Sequence, residues 1–390
     1  MRVVSVPVEA RGHGAGGFRP PPYPYERLSR LHALADALPG GIVDCSIGTP
    51  CDPPPPEAVR ALASSGAERG YPSSAGSAAF RQAAVEYVGR TFGVDVEVSE
   101  LAACVGTKEM VVSTPQYLRL RDPSRDTVLY PSVSYPSYAM GAQLAGCRAV
   151  PVPLARTGGG GLDLDAVDPS DIQRALLLWV NSPGNPSGEL TDLGAAAAWG
   201  RRHGVPVFSD ECYVEYTWEG RPRTILETGA EGVVAVHSVS KRSNLAGIRA
   251  GFFAGDGGLV GYLREVRQHA GLMVPGPVQA AAAAAWCDDG HVDAQRARYR
   301  ERLELLARAL TDAGCPTRLP EGSFYLWPAV PARWADGWAL AEELARVAGL
   351  LVSPGDLYGP EGAGHVRVAV VQPTERLALV AKRLARSARA

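Results

Sequence analysis

Seven short apolar runs, near residues 102–105, 127–130, 148–153, 175–180, 205–209, 233–237 and 250–254, alternate with helix-like patterns at about 76–91, 108–119, 193–203 and 275–287. This alternation restricts the fold more than any other feature of the chain. Short apolar runs read as buried strands, and strands separated by helices pair in parallel under a cover of helices. The expectation is an α/β fold: a large, mostly parallel sheet flanked by helices, with a smaller α+β layer beside it. The pattern changes after about residue 288. A charged helix over 292–313 leads to Gly322-Ser323-Phe324-Tyr325-Leu326-Trp327, a helix near 337–348, a strand at 365–371 and a final helix from Thr374. At 390 residues the chain exceeds what one core usually supports. We expect an N-terminal arm over 1–24, rich in Gly and Pro, and an N-terminal part of the small domain over 25–60. The large domain is expected over 61–287 and the C-terminal small domain over 288–390.

Composition excludes several classes. The net charge of −2 and the dispersed basic residues give no electrostatic case for nucleic acid. The seven cysteines form no C-x-x-C and no histidine pair has zinc-finger spacing, so neither a disulfide framework nor a metal site is expected. The N-terminus lacks the apolar core of a signal peptide, and the alanine run 280–285 is too short to span a bilayer, so a cytoplasmic protein away from membranes is expected. Gly158–Gly161 precedes neither a lysine nor a helix start and reads as a surface turn.

Lys241 is one of three lysines among 39 basic side chains, the other two being Lys108 and Lys382. Lysine and arginine share charge and helix propensity, but only lysine loses its proton near neutral pH and attacks a carbonyl as an amine. Lys241 follows the apolar run 233–237 inside Ser238-Val239-Ser240-Lys241-Arg242-Ser243-Asn244-Leu245-Ala246-Gly247-Ile248-Arg249-Ala250-Gly251. A hydroxyl, an amine and a guanidinium at Ser238, Lys241 and Arg249 would surround one phosphorylated aldehyde, which is how an enzyme holds pyridoxal phosphate. The competing reading is a solvated surface lysine.

Four further clusters carry chemistry, three of them at expected strand ends, where open α/β sheets place ligands. Gly106-Thr107-Lys108 opens a helix whose first N–H groups suit a phosphate, or simply cap it. Asn181-Ser182-Pro183-Gly184-Asn185-Pro186 forms a rigid loop able to aim an amide at a ring hydroxyl. Asp210, in Ser209-Asp210-Glu211-Cys212-Tyr213, would be a costly unpaired carboxylate unless it meets a protonated pyridine nitrogen or caps a helix. Arg367 lies between apolar neighbours in Val366-Arg367-Val368, suited to bidentate capture of a carboxylate or to a structural salt bridge.

Taken in order, Gly106-Thr107, Tyr135, Asn185, Asp210, Tyr213, Ser238-x-Ser240-Lys241, Arg249 and Arg367 resemble the class I/II aminotransferases, pyridoxal-phosphate enzymes of fold type I, from about residue 23 onward. The resemblance implies Lys241 as Schiff-base lysine and proton shuttle, Asp210 on the pyridine nitrogen, Asn185 and Tyr213 on the ring oxygen, and Tyr135 stacked on the ring. It places Gly106, Thr107, Lys108, Ser238 and Arg249 around the cofactor, and Arg367, Gly48 and Asn185 around the substrate. Tyr71, in Gly70-Tyr71-Pro72, matches the residue that reaches the partner subunit's phosphate, which implies a homodimer.

Ile47-Gly48-Thr49-Pro50, 240–251, 269–275 and Ser353-Pro354-Gly355-Asp356-Leu357-Tyr358 resemble, more narrowly, actinobacterial succinyldiaminopimelate aminotransferases. The expected activity is ping-pong transfer of an amino group between glutamate and a keto acid with a distal carboxylate, of the N-succinyl-diaminopimelate type. The alternative keeps the same site for specialised metabolism: β- or γ-elimination or replacement, carbon–carbon bond formation, or oxidation of an amino acid. A sensor domain without catalysis fits poorly, because no basic DNA-binding extension is present.

Overall fold

The computed structural model describes residues 18–155 and 161–387; most of the expected N-terminal arm, and all but the last glycine of the 158–161 run, lie outside the described residues. The strands in chain order are β1 (Val43–Asp44), β2 (Leu101–Cys104), β3 (Thr127–Pro131), β4 (Arg148–Val152), β5 (Ala175–Asn181) and β6 (Val207–Asp210), then β7 (Val233–Ser238), β8 (Gly251–Gly255), β9 (Tyr325–Leu326), β10 (Leu350–Leu351), β11 (Ser353–Pro354) and β12 (Val366–Ala369). Strands β2 to β8 build one seven-stranded sheet in the order β2-β8-β7-β6-β5-β3-β4. All its pairings are parallel except those of β8, which runs antiparallel to both β7 and β2.

Every residue of β5, β6 and β7 is buried, which is why their sequences run apolar without alternation until the polar residues at their C-terminal ends. Successive side chains part to the two faces. Val207, Val233, Ala235 and Phe252 join Phe80, Tyr87 and Trp286 on one side, while Phe208, Val234, Val236 and Phe253 join Met110, Tyr138 and Trp179 on the other. Burial of each such Val or Phe contributes about 1.5–3 kcal/mol. The covering helices match the sequence pattern: Ala78–Phe92, Thr107–Arg121, Leu193–His203 and Gly276–Trp286. The first is capped by Ser77, whose hydroxyl accepts from the Phe80 N–H, and stops at Gly93 in the left-handed conformation. Helices Ser137–Leu144 and Gly257–His269 were not legible as patterns.

A third apolar cluster gathers Leu28, Leu31 and Val43 with Leu303, Phe324, Leu340, Leu350, Val368 and Leu377. Here β1 pairs in parallel with β10, and β12 lies antiparallel between β11 and β9. Residues near the start of the chain therefore share a core with its last hundred. Helix Pro56–Ser64, by contrast, sends Ala58 into the core of the large sheet. Among the described residues no helix is long and apolar enough to cross a membrane.

Candidate active site

The strand register assembles the floor of the site. Asn181 on β5 stands opposite Asp210 on β6, and Asp210 opposite Val236 on β7, which ends two residues later at Ser238 and runs straight into the turn Val239–Arg242 that carries Lys241. Gly251 on β8 pairs with both Ser238 and Cys104, so Arg249 reaches the turn between β2 and the helix beginning at Thr107. These strand ends surround a cavity of about 350 Å³, walled opposite by Tyr23, Tyr25, Ile47, Gly48, Thr49, Tyr325 and Arg367.

Lys241 Nζ donates to the Gly48 carbonyl. Burial, reinforced by the Arg367 and Arg249 guanidinia and opposed by Cys212 and Asp210, pushes its amine down to about 8. Asp210 is buried and accepts from the Tyr138 hydroxyl at 3.1 Å and the Cys212 N–H at 3.2 Å. Burial raises its pKa despite these donors, and among the described residues no Lys or Arg lies within ion-pair distance. The Tyr213 hydroxyl lies 2.8 Å from that of Tyr325.

Arg367 is 2% exposed yet has no carboxylate partner among the described residues, so the salt-bridge reading of it fails. Its guanidinium donates to Asn185 Oδ1 at 2.9 Å and to the Ser46 carbonyl, with the Tyr325 and Tyr358 rings 4.4 and 4.8 Å away. Its Nε has no partner among the described residues. Asn185 was expected at a ring hydroxyl; its amide oxygen here steadies Arg367, while its N–H donates to Asn181 Oδ1 at 2.8 Å.

Arg249 has φ 58°, a left-handed conformation uncommon outside glycine, and donates only to the Ala246 and Val105 carbonyls and the Ser240 hydroxyl. It faces the first turn of the Thr107 helix. At Gly106, φ 79°, a Cβ would stand 2.4 Å from the guanidinium, so only glycine leaves this cradle open. Of the two serines, Ser240 lines the cavity. Ser238 caps the Lys241 turn, accepting from the Ser240 N–H at 3.1 Å and donating to the Ala250 carbonyl at 3.0 Å. Lys108 sits at the rim, its ammonium 5.2 and 5.9 Å from the Tyr23 and Tyr135 ring centres, with no carboxylate partner among the described residues. Tyr71 is fully exposed and not brought together with the others.

Four charged groups thus line one cavity without an ion-pair partner among the described residues: the acid Asp210, and the bases Arg249, Arg367 and Lys108. The chain belongs to the class I and II aminotransferases, whose family profile matches residues 41–384. The aminotransferase is 42% identical to a probable aminotransferase of Mycobacterium tuberculosis, over 93% of this chain and 85% of that protein. It is 39% identical to the 4-dedimethylamino-4-oxo-anhydrotetracycline transaminase OxyQ of Streptomyces rimosus, over 93% and 99%. A probable N-succinyldiaminopimelate aminotransferase of Thermus thermophilus shares its fold with a TM-score of 0.82 and 31% identity, covering 93% and 99% of the two chains.

Enzymes of this family use pyridoxal 5′-phosphate, and the unmatched charges fit it. Its phosphate suits Arg249, Ser240 and the helix start at Thr107, its ring nitrogen gives Asp210 a cation, and its aldehyde meets an amine poised near neutrality. Tyr138, Tyr25, Cys212 and Tyr325 line the same cavity and were missed from sequence. Tyr138 carried one weak signal, its place three residues after Tyr135; Tyr325 carried none.

Proposed function

We propose that this aminotransferase moves an amino group between glutamate and a keto acid bearing a distal carboxylate. One observation carries the reading: Arg367 and Lys108 both face the cavity without carboxylate partners, one deep in the wall and one at the rim. A substrate with two carboxylates neutralises both. Arg367, flanked by Asn185 and two tyrosine rings, presents a fixed fork to the α-carboxylate. Lys108, a point charge on a flexible stem, follows a distal carboxylate at variable reach.

Pyridoxal phosphate, when bound, supplies the aldehyde that takes up the amino group and a ring that delocalises charge from the substrate Cα. Lys241 Nζ takes the proton from that Cα, and an amine titrating near 8 both accepts and returns it at physiological pH. Asp210, held by Tyr138, would keep the ring nitrogen protonated, Tyr213 would hold the ring oxygen, and Tyr135 would pack against the ring. Gly106, Thr107, Ser240 and Arg249 hold the phosphate. We further propose a homodimer in which the exposed Tyr71 reaches the partner's phosphate.

The test is a single-turnover assay on purified protein: glutamate should yield one 2-oxoglutarate per site, and N-succinyl-diaminopimelate its keto acid. Absence of both products sinks the reading. A second reading is favoured by the similarity to the tetracycline-modifying OxyQ: the same amino donor, with a large ring ketone as acceptor. Turnover of glutamate with every distal-carboxylate keto acid inert would select it.

A further inference from the structure

Lys241 and Arg242 are neighbours that face opposite ways. Lys241 enters the cavity, while Arg242, 1% exposed, turns into a buried polar cluster behind it. The Arg242 Nε lies 3.0 Å from Glu215 Oε1 and its Nη2 2.6 Å from Asp289 Oδ1. Nη1 donates to the Ala285 carbonyl at 2.6 Å, and the guanidinium lies over the rings of Tyr87 and Trp286 at 5.0 and 5.4 Å. Glu215 is itself fixed by the Tyr87 hydroxyl at 2.6 Å. The next residue, Tyr216, donates its hydroxyl to the Lys241 carbonyl at 2.9 Å.

We propose that Arg242, through its ion pair with Glu215, is a positioning residue that sets the direction in which Lys241 enters the cavity. The turn Val239–Arg242 is four residues long, too short to hold its own geometry, and the lysine stem is flexible. Its direction must come from an anchor outside the turn. Glu215 stands two residues after Tyr213, so the pair ties the segment carrying Asp210, Cys212 and Tyr213 to the segment carrying Lys241. A buried ion pair gives little net stability over apolar packing, whereas its fixed geometry suits this task. Neither residue touches the cavity.

The inference rests on Lys241 carrying the cofactor, and the experiment separates the two claims. Full-length protein is loaded with pyridoxal phosphate and its visible absorption followed against pH. A wild-type protein without a pH-dependent band attached at Lys241 defeats the cofactor reading; a wild-type band that Arg242 variants leave unmoved defeats only this proposal. The groups facing the Lys241 nitrogen are Cys212, Asp210, Arg249 and Arg367, and none is altered. In Arg242→Met the nitrogen gains water, which favours its protonated form, so the midpoint should rise by at least about half a unit. The kcat should fall roughly tenfold with the glutamate KM within about twofold, because Arg367 is untouched. Arg242→Lys should recover at least half of the midpoint shift. Leu377→Ala, in the third apolar cluster, serves as a control that lowers Tm without touching the anchor. An equal shift in that control, or none in Arg242→Met, overturns the proposal. If Arg242→Met does not fold, Glu215→Gln should shift the midpoint in the same direction by less, and no shift there is equally fatal.

Discussion

Asp210 and Lys241, on the floor of the cavity, stand at or just beyond the ends of adjacent parallel strands, whereas Arg367 and Gly48, on the opposite wall, come from nearly opposite ends of the chain. The floor is held by backbone ladders. The wall has short ladders of its own, with Arg367 on β12 and Tyr325 on β9, and side chains link it to the floor: Arg367 to Asn185, and Lys241 across the gap to the Gly48 carbonyl. At Gly48 any Cβ would collide with the Tyr325 hydroxyl, at 2.1 Å, so the wall closes only on glycine. The proposed function gives cofactor chemistry to the floor and substrate recognition to the wall, and each assignment can be broken separately.

The largest effect is expected on the floor. Lys241→Ala should lose the covalently held cofactor and all transamination, and Lys241→Arg should fail equally, because a guanidinium cannot take its place. Borohydride treatment followed by peptide mapping checks this; label on Lys108 would reverse the assignment. In the wild type, the rate at which apoprotein captures pyridoxal phosphate should rise with pH and reach half its maximum near 8. The sign follows from burial: it lowers the pKa, so the neutral, reactive amine appears above about 8, rather than above the usual value of about 10.4.

Next come the two arginines. Arg367→Lys keeps the charge and loses the fork, so kcat/KM should drop roughly a hundredfold for every amino acid while cofactor retention holds. Arg249→Lys should do the opposite, releasing cofactor at unchanged relative preference among substrates. If Arg367→Lys sheds the cofactor instead, floor and wall have been confused. Smaller again, Lys108→Met should cost at most about fivefold in kcat/KM for glutamate and spare alanine, since one exposed charge contact is removed. Equal losses for both amino acids would move Lys108 from substrate to cofactor. The smallest effect on kcat/KM belongs to Tyr138→Phe. Losing one hydrogen bond to a charged carboxylate costs about 1.5 kcal/mol, roughly tenfold in cofactor affinity, with kcat/KM for saturated enzyme reduced only a few-fold. Cofactor titration monitored by fluorescence measures it.

Much of the floor was legible because its residues lie within short motifs. Gly106-Thr107, Asp210 with Tyr213, and the Ser238-to-Arg249 stretch each sit where an apolar run ends, and a run's end is visible in a linear sequence. The division of labour between Ser238 and Ser240 was not. Two hydroxyls flanking one turn look alike until the turn's φ and ψ decide which caps it and which faces the cavity. Asn185 was recognised as a site residue, but its hold on Arg367 spans 182 positions of sequence. Tyr138 needed the packing of its helix against the sheet before its hydroxyl could be seen reaching Asp210.

The sequence by itself determined the α/β class and the large sheet's strands, and singled out Lys241 as the candidate cofactor lysine, because buried parallel strands are largely apolar and an amine cannot be replaced by a guanidinium. Tertiary structure alone decided the far wall: which tyrosines line it, that Arg367 lacks an acidic partner, and that Lys108 looks into the same space. Those properties are relations between segments far apart in the chain. No local pattern encodes them; they arise only when β12, the loop at 46–49 and the sheet's strand ends are folded around one cavity.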